Sequence, residues 1–136
     1  MFETFEHTAD LGLRARAADL DTLFVEAAHA LFSAIVEDLA AIRPERKIDV
    51  RLESDERELL LFDWLNELLY QCETQHLVFG RFEVHAGDAG LTGSAWGEPL
   101  DPERHGVGHE VKAITYHGLK VEQTNDGWLA EVIVDI

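Results

Sequence analysis

The chain has 136 residues, 46% of them hydrophobic, enough for one domain with a real core and too few for two comfortable ones. Its 27 Asp and Glu against 11 Lys and Arg give a formal charge of -16, a field that repels phosphate and argues against direct nucleic-acid binding. The single Cys72 excludes an internal disulfide, no apolar run approaches the ~20 residues of a membrane span, and the acids of "MFETFEHTAD" are unlike a signal peptide, so an unanchored cytoplasmic protein is expected.

In chain order, "HTAD" at residues 7 to 10 comes first. Its His7 and Asp10 fit an ordinary turn cap as well as a site at a strand end. Residues 11 to 17, "LGLRARA", alternate with Leu11, Leu13, Ala15 and Ala17 on one face, the period of a half-buried strand. Asp19 or Asp21 can cap the next element, a helix over 22 to 39 whose apolar stripe runs from Leu23 and Phe24 to Ile35 and Val36 at three- and four-residue spacing. After Pro44, "KIDVRLE" predicts a second strand. Ser54 or Asp55 then opens a helix over 56 to 73, so apolar from Leu59 to Leu69 that it is expected to be the buried one, with Asp63, Asn66 and Glu67 on its wet edge.

"HLVFGRFEVHA" and "LTGSAWGE" read as a hairpin joined by "GDAG", and residues 97 to 109, with three Gly and two Pro, as a loop. "EVKAITYH" fits a strand or a short helical turn equally. "LKVEQ" and "WLAEVIVDI" flank the turn signal "TNDG". The sum is an α+β domain spanning residues 1 to 136, two main helices packed on antiparallel sheet with a C-terminal hairpin.

The closing "VIVDI" places the Asp135 side chain beside the α-carboxylate of Ile136, a costly pair of anions without a cation. If Asp10 joins them, three hard oxygens suit calcium, magnesium or manganese better than zinc. For zinc, the sequence offers His105, His109 and His117, but Gly106 and Gly108 oppose the helix that would align them, and "HEVKA" lacks the second His of the helical zinc-protease motif. Lys112, in an apolar run, suits an ion pair or a phosphate contact. Nucleophilic catalysis finds no support: Cys72 has no base beside it, and no Gly-x-Ser-x-Gly elbow or Gly-rich phosphate loop is present.

Taken together, "FEHTADLGLRA", "LLFDWLNELLYQCET", the "GE" at 97 to 98, "VKAITYH" and the closing "WLAEVIVDI" resemble the archease family, in family order and across essentially the whole chain. The resemblance implies a small α+β protein that is not itself an enzyme. It would activate an RtcB-type RNA ligase, the enzyme of tRNA splicing or RNA repair that joins a 3′-phosphate or cyclic-phosphate end to a 5′-hydroxyl. It implies that the protein promotes transfer of GMP from GTP to the ligase and multiple turnover. GTP and manganese belong to the ligase, and RNA is met only indirectly. The implied metal site falls on Asp10, Asp135 and the carboxylate of Ile136, with calcium the first expectation, and the implied functional lysine on Lys112. The loop matches at Gly97, Glu98 and His105. Two other classes compete: a stand-alone metal-dependent hydrolase using Asp10, Asp135 and His7 or His105, and a general chaperone.

Overall fold

The computed structural model describes residues 1–7 and 10–136, so Thr8 and Ala9 of the "HTAD" turn lie outside the described residues. The first strand, β1 (Phe2–His7), is absent from the sequence expectation because its two aromatic residues break the alternation. Phe2 packs against the core, while Phe5 lies on the other face, over Gly12 of β2 (Asp10–Ala17), where any side chain in place of glycine would collide with its ring. Helix α1 (Leu20–Ile35) starts where Asp19 accepts a hydrogen bond from the Thr22 amide at 2.8 Å. It stops four residues short of the predicted end, because Val36 turns extended and Leu39–Ala41 form a separate 3-10 turn. Asp21, the alternative cap, instead accepts from the Ala86 amide at 2.7 Å.

Strand β3 (Arg46–Glu53) leads to α2 (Arg57–Gln75). Neither Ser54 nor Asp55 is the cap of α2: that place is taken by Glu56, and Ser54 Oγ accepts from the Glu56 amide at 3.1 Å. The hairpin of β4 (Leu77–Ala86) and β5 (Gly90–Pro99) follows, then a short third helix, α3 (Pro102–His105), inside the segment expected to be loop. "EVKAITYH" contributes only β6 (Ala113–Ile114), so Lys112 stands just before a two-residue strand rather than within a longer one. The expected C-terminal hairpin is present as β7 (Lys120–Thr124) and β8 (Gly127–Asp135).

The described strands pair antiparallel in two sheets. The larger has the order β1-β2-β8-β6, with β7 also on β8, and the smaller is β3-β5-β4. Helix α1 packs against both β2 and β4, so it lies between the sheets. That reverses the expectation for the two helices. The stripe of α1, from Leu23 and Phe24 to Phe32 and Ile35, is buried together with Ala27, Ala28, Ala30 and Ala34, small residues that let both sheets approach its backbone. Helix α2 buries Leu60, Leu61, Trp64, Leu65, Leu68 and Leu69 and keeps Asp63, Asn66 and Tyr70 in solvent.

One side chain ties the layers together. The fully buried Trp64 indole donates to the Phe24 carbonyl of α1 at 3.1 Å, meets Phe82 of β4 edge-on, and lies against Gly93 of β5, where a Cβ would press on its ring. Trp64→Ala should lower the unfolding free energy by about 3–5 kcal/mol in urea denaturation. A loss below about 1 kcal/mol would show that the helices and the smaller sheet do not depend on this contact.

Candidate functional site

Strand pairing assembles the predicted residues. Asp10 stands directly opposite Asp135 in the β2–β8 ladder, His7 opposite Asp10 in β1–β2, and Ala113 opposite Asp135 in β6–β8. His7, Asp10, Asp135 and Ala113 thus form one row across an end of the larger sheet. Residues facing each other on antiparallel strands project to the same side with Cβ atoms roughly 4.5–5.5 Å apart, and like charges so placed repel. Ile136 follows at once and shares with His7, Asp10 and His109 the wall of an open cavity of about 530 Å³. The Lys112 amide donates to the Asp135 carbonyl at 2.7 Å, while its side chain is exposed and, among the described residues, makes no ion pair.

Do these residues suit a divalent ion? Among the described residues, no three His, Cys, Asp or Glu side chains converge as a metal site, so Asp10 and Asp135 do not by themselves complete an oxygen-rich set. Two features fit a cation. Among the described residues, the two aspartates face each other with no lysine or arginine side chain bonded to either carboxylate, and His7 Nδ1 is buried without a hydrogen-bond partner, 3.9 Å from Asp10 Oδ2. Carboxylate oxygens of this kind suit a hard ion better than zinc.

The histidines proposed for zinc do not converge. His117 packs edge-on against His7, with ring centroids 5.3 Å apart, and His109 lines the cavity. His105 is fully buried elsewhere with both ring nitrogens engaged. Its Nδ1 accepts from the Asp101 amide at 2.9 Å, so the ring carries its proton on Nε2 and donates it to Glu98 Oε2 at 2.9 Å. Glu98, 3% exposed, also accepts from the Arg43 amide at 2.7 Å and from both terminal nitrogens of Arg104 at 2.7 and 2.6 Å. The Arg104 guanidinium foremost, with the Arg43 amide and His105, holds the Glu98 carboxyl far below the usual carboxylate range against the opposing effect of burial.

This clamp anchors the segment that reaches the row. Beyond it, the His105 carbonyl accepts from the Asp38 amide, and the Gly108 and His109 amides donate to the Ile35 and Ala34 carbonyls, capping the C-terminus of α1. Gly108 is required there, because a Cβ would run into the Ala34 carbonyl. Residues 98 to 112 are therefore a strap fixed at its start, its middle and its end. The sequence singled out Glu98 and His105 only as loop anchors. Arg104 and the capping by His109 left no periodic or motif signal, since their partners lie on other elements. Cys72 is inert: burial foremost, with nearby Glu73, pushes its thiol up to about 11.

Comparison with known proteins gives one consistent result. The sequence model of the archease protein family matches residues 2–136. The chain is 43% identical to the protein archease of Pyrococcus furiosus over 140 residues, covering 99% of this chain and 98% of that one. It is 42% identical to that of Methanopyrus kandleri, covering 99% of each. The solution structure of Methanobacterium thermoautotrophicum protein 1598 superposes with a TM-score of 0.85 at 36% identity, covering 99% and 98% of the two chains. A Thermotoga maritima crystal structure, described as an archease and possible chaperone, shares the fold with a TM-score of 0.60 at 20% identity, covering 98% and 96%.

The clamp makes a pH prediction with a definite sign. Glu98 titrates lower when folded, so its contribution is present above the ordinary glutamate value of 4.5 and is lost as pH falls from there toward the folded value. Glu98→Gln should cost about 3 kcal/mol at neutral pH, and the variant should lose less of its remaining stability than wild type between pH 5 and roughly pH 2. Parallel stability curves for the two proteins over that range would mean that the carboxylate is not held by these donors.

Proposed function

Because the chain belongs to the archease family, we propose that it is an accessory protein that activates an RtcB-type RNA ligase through the carboxylate row at the end of its larger sheet. The observation that carries this reading is the opposition of Asp10 and Asp135 beside Ile136, with the backbone of Lys112 bonded to Asp135. Asp10, Asp135 and the Ile136 carboxylate would hold a divalent ion, calcium first, with magnesium or manganese as alternatives. Such an ion, when bound, supplies positive charge at an otherwise anionic edge.

Each residue has a distinct part. Asp10 and Asp135 sit on adjacent paired strands, so the sheet itself fixes their separation, and a bound ion would cost little reorganisation. Lys112, with its amide bonded to Asp135 and its exposed side chain free of ion pairs among the described residues, would bring its ammonium to neutralise phosphate charge while the ligase takes up its guanylyl group. The charge of -16 keeps the protein from competing for RNA and favours approach to an electropositive cleft. GTP, manganese and RNA remain with the ligase, and the setting is the cytoplasm. A holding chaperone has less support, because the exposed large hydrophobic residues among those described are only Met1, Tyr70, Val107 and Tyr116.

Two sets of variants test this. Asp10→Asn, Asp135→Asn and a chain extended by one Gly after Ile136 should each abolish most of the rise in melting temperature that calcium gives wild type, with stability in chelator nearly unchanged. The same three should lose acceleration of ligase guanylylation. A wild-type protein whose melting ignores divalent ions and which leaves the guanylylation rate unaltered would sink the reading. Lys112→Ala and Lys112→Met should fold like wild type, within about 0.5 kcal/mol for an exposed side chain, and bind calcium, yet accelerate guanylylation at least about tenfold less. If both instead lose several kcal/mol of stability while activation per folded molecule is kept, Lys112 is structural.

A further inference from the structure

The solvent face of α2 combines acids with exposed aromatic rings. At 100° per residue, Phe62, Asn66, Tyr70 and Glu73 fall on one stripe with Asp63 and Glu67 along its side. From Glu58 to Gln75 the helix carries four acids, Glu58, Asp63, Glu67 and Glu73, and no Lys, Arg or His. None of the four makes an ion pair among the described residues, so no side chain of this protein competes for them.

Two tyrosines stand on or against this stripe. Tyr70 is 55% exposed, and Tyr116 is 61% exposed. Tyr116 stacks nearly parallel on Phe62, with ring centroids 4.0 Å apart and planes 11° apart, so one face of its ring is covered and it is held out as a rigid platform. The segment that presents Tyr116 is the one that presents Lys112, and between them β6 pairs with Asp135 and Val134. A partner seated on α2 and Tyr116 would therefore lie along the segment that leads to the carboxylate row.

We propose that the outer face of α2, completed by Tyr116, is the docking surface for a basic patch on the ligase, with an arginine of the ligase stacked over the Tyr116 ring. The occupant follows from charge complementarity: unpaired acids without a competing cation, beside exposed aromatic rings, match guanidinium groups, which pair with carboxylates and stack on rings at once. The inference rests on the proposed activation of the ligase, and it separates docking from the metal row. The acids bring the partner in, the tyrosines hold it, and the row acts on what has been brought close.

The test measures binding of recombinant ligase to full-length wild type, Tyr116→Ala, the double variant Asp63→Lys/Glu67→Lys, and the control Asp126→Lys in the turn between β7 and β8. All the changed side chains but Glu67 are well exposed, and Glu67 is half-buried. The calcium-dependent melting shift of each variant reports whether the row is intact. The expected result is about tenfold or greater weakening of Kd for Tyr116→Ala and for the double variant, a salt dependence of binding that the double variant loses, and a Kd within about twofold of wild type for Asp126→Lys. Calcium stabilisation should stay at the wild-type value in all of them. Wild-type affinity in both α2-face variants, or an equal loss in Asp126→Lys, overturns the docking surface while leaving the activation reading standing. Absence of both binding and acceleration with wild type rejects the activation reading and this occupant together.

Discussion

The pairing of β2 with β8 is the constraint on which the rest depends. It joins residues more than a hundred positions apart and does so in a register that sets Asp10 opposite Asp135. A slip of one residue would turn every side chain of one strand to the other face, exposing Leu11 and Leu13 or Val132 and Val134, all buried in the core. The apolar residues thereby fix where the aspartates stand. Two like charges are tolerated at the end of the ladder because the core on the inner face leaves no other register. The repulsion is carried by the hydrophobic residues, not relieved by a neighbouring arginine. Farther along the same outer face the opposite solution appears: Arg14 lies between Glu3 and Glu131 and over the Phe5 ring, and those carboxylates raise its affinity for its proton.

The strap from Glu98 to Lys112 meets a different difficulty. A segment containing two glycines and one proline between Pro99 and Lys112 has little intrinsic order, yet it must cross from the smaller sheet to the larger one. Its first anchor is a buried carboxylate with four donors, three on Oε2 and one on Oε1; remove one partner and the buried charge is left less compensated. Its second anchor uses the orphan carbonyls at the C-terminus of α1, which any helix end must satisfy somehow. Its last is the Asp135 carbonyl. One strand end therefore serves two purposes, carrying the Asp135 side chain on the row and holding Lys112 beside it through the backbone.

What could be read in the sequence follows from which interactions are local. The helices, the two hairpins and the strand at 11 to 17 announce themselves through period and turn chemistry, so the α+β architecture was legible, and the whole-chain resemblance to archeases drew on those same stretches. Strand β1 was not, because Phe2 and Phe5 serve opposite faces and the alternation is lost. The sequence pattern misleads on the relative burial of the helices for a related reason. Alanines in α1 add little hydrophobicity, but they permit contact on two sides, whereas the leucines of α2 suggest burial all round while one face stays wet. Asp10, Asp135 and Ile136 were named from the sequence as a set, but only pairing across the sheet shows how two of them meet. Arg104 was missed because its role depends on a glutamate six residues away whose burial no local pattern foretells.

The same separation of local and distant effects explains why the carboxylate row and the α2 face can be changed independently. The row is built on paired strands whose inner face is core, so a change of charge at Asp10 or Asp135 leaves Leu11, Val132 and Val134 in place. The α2 face is the wet side of a helix whose opposite side is locked by Trp64, Leu65 and Leu68, so substitutions at Asp63 or Tyr70 do not reach the core either. The segment from Lys112 to Tyr116 touches both, through the Lys112 amide and β6 on one side and the Tyr116 ring on the other. With just two residues in regular pairing, it is the least supported of the elements near the row and the one most open to local unfolding. Thr115 adds two bonds to the Ile133 carbonyl, so a change that frees Tyr116 from Phe62 loosens only the end of the segment away from Lys112, while the bond to Asp135 holds the lysine backbone where it stands.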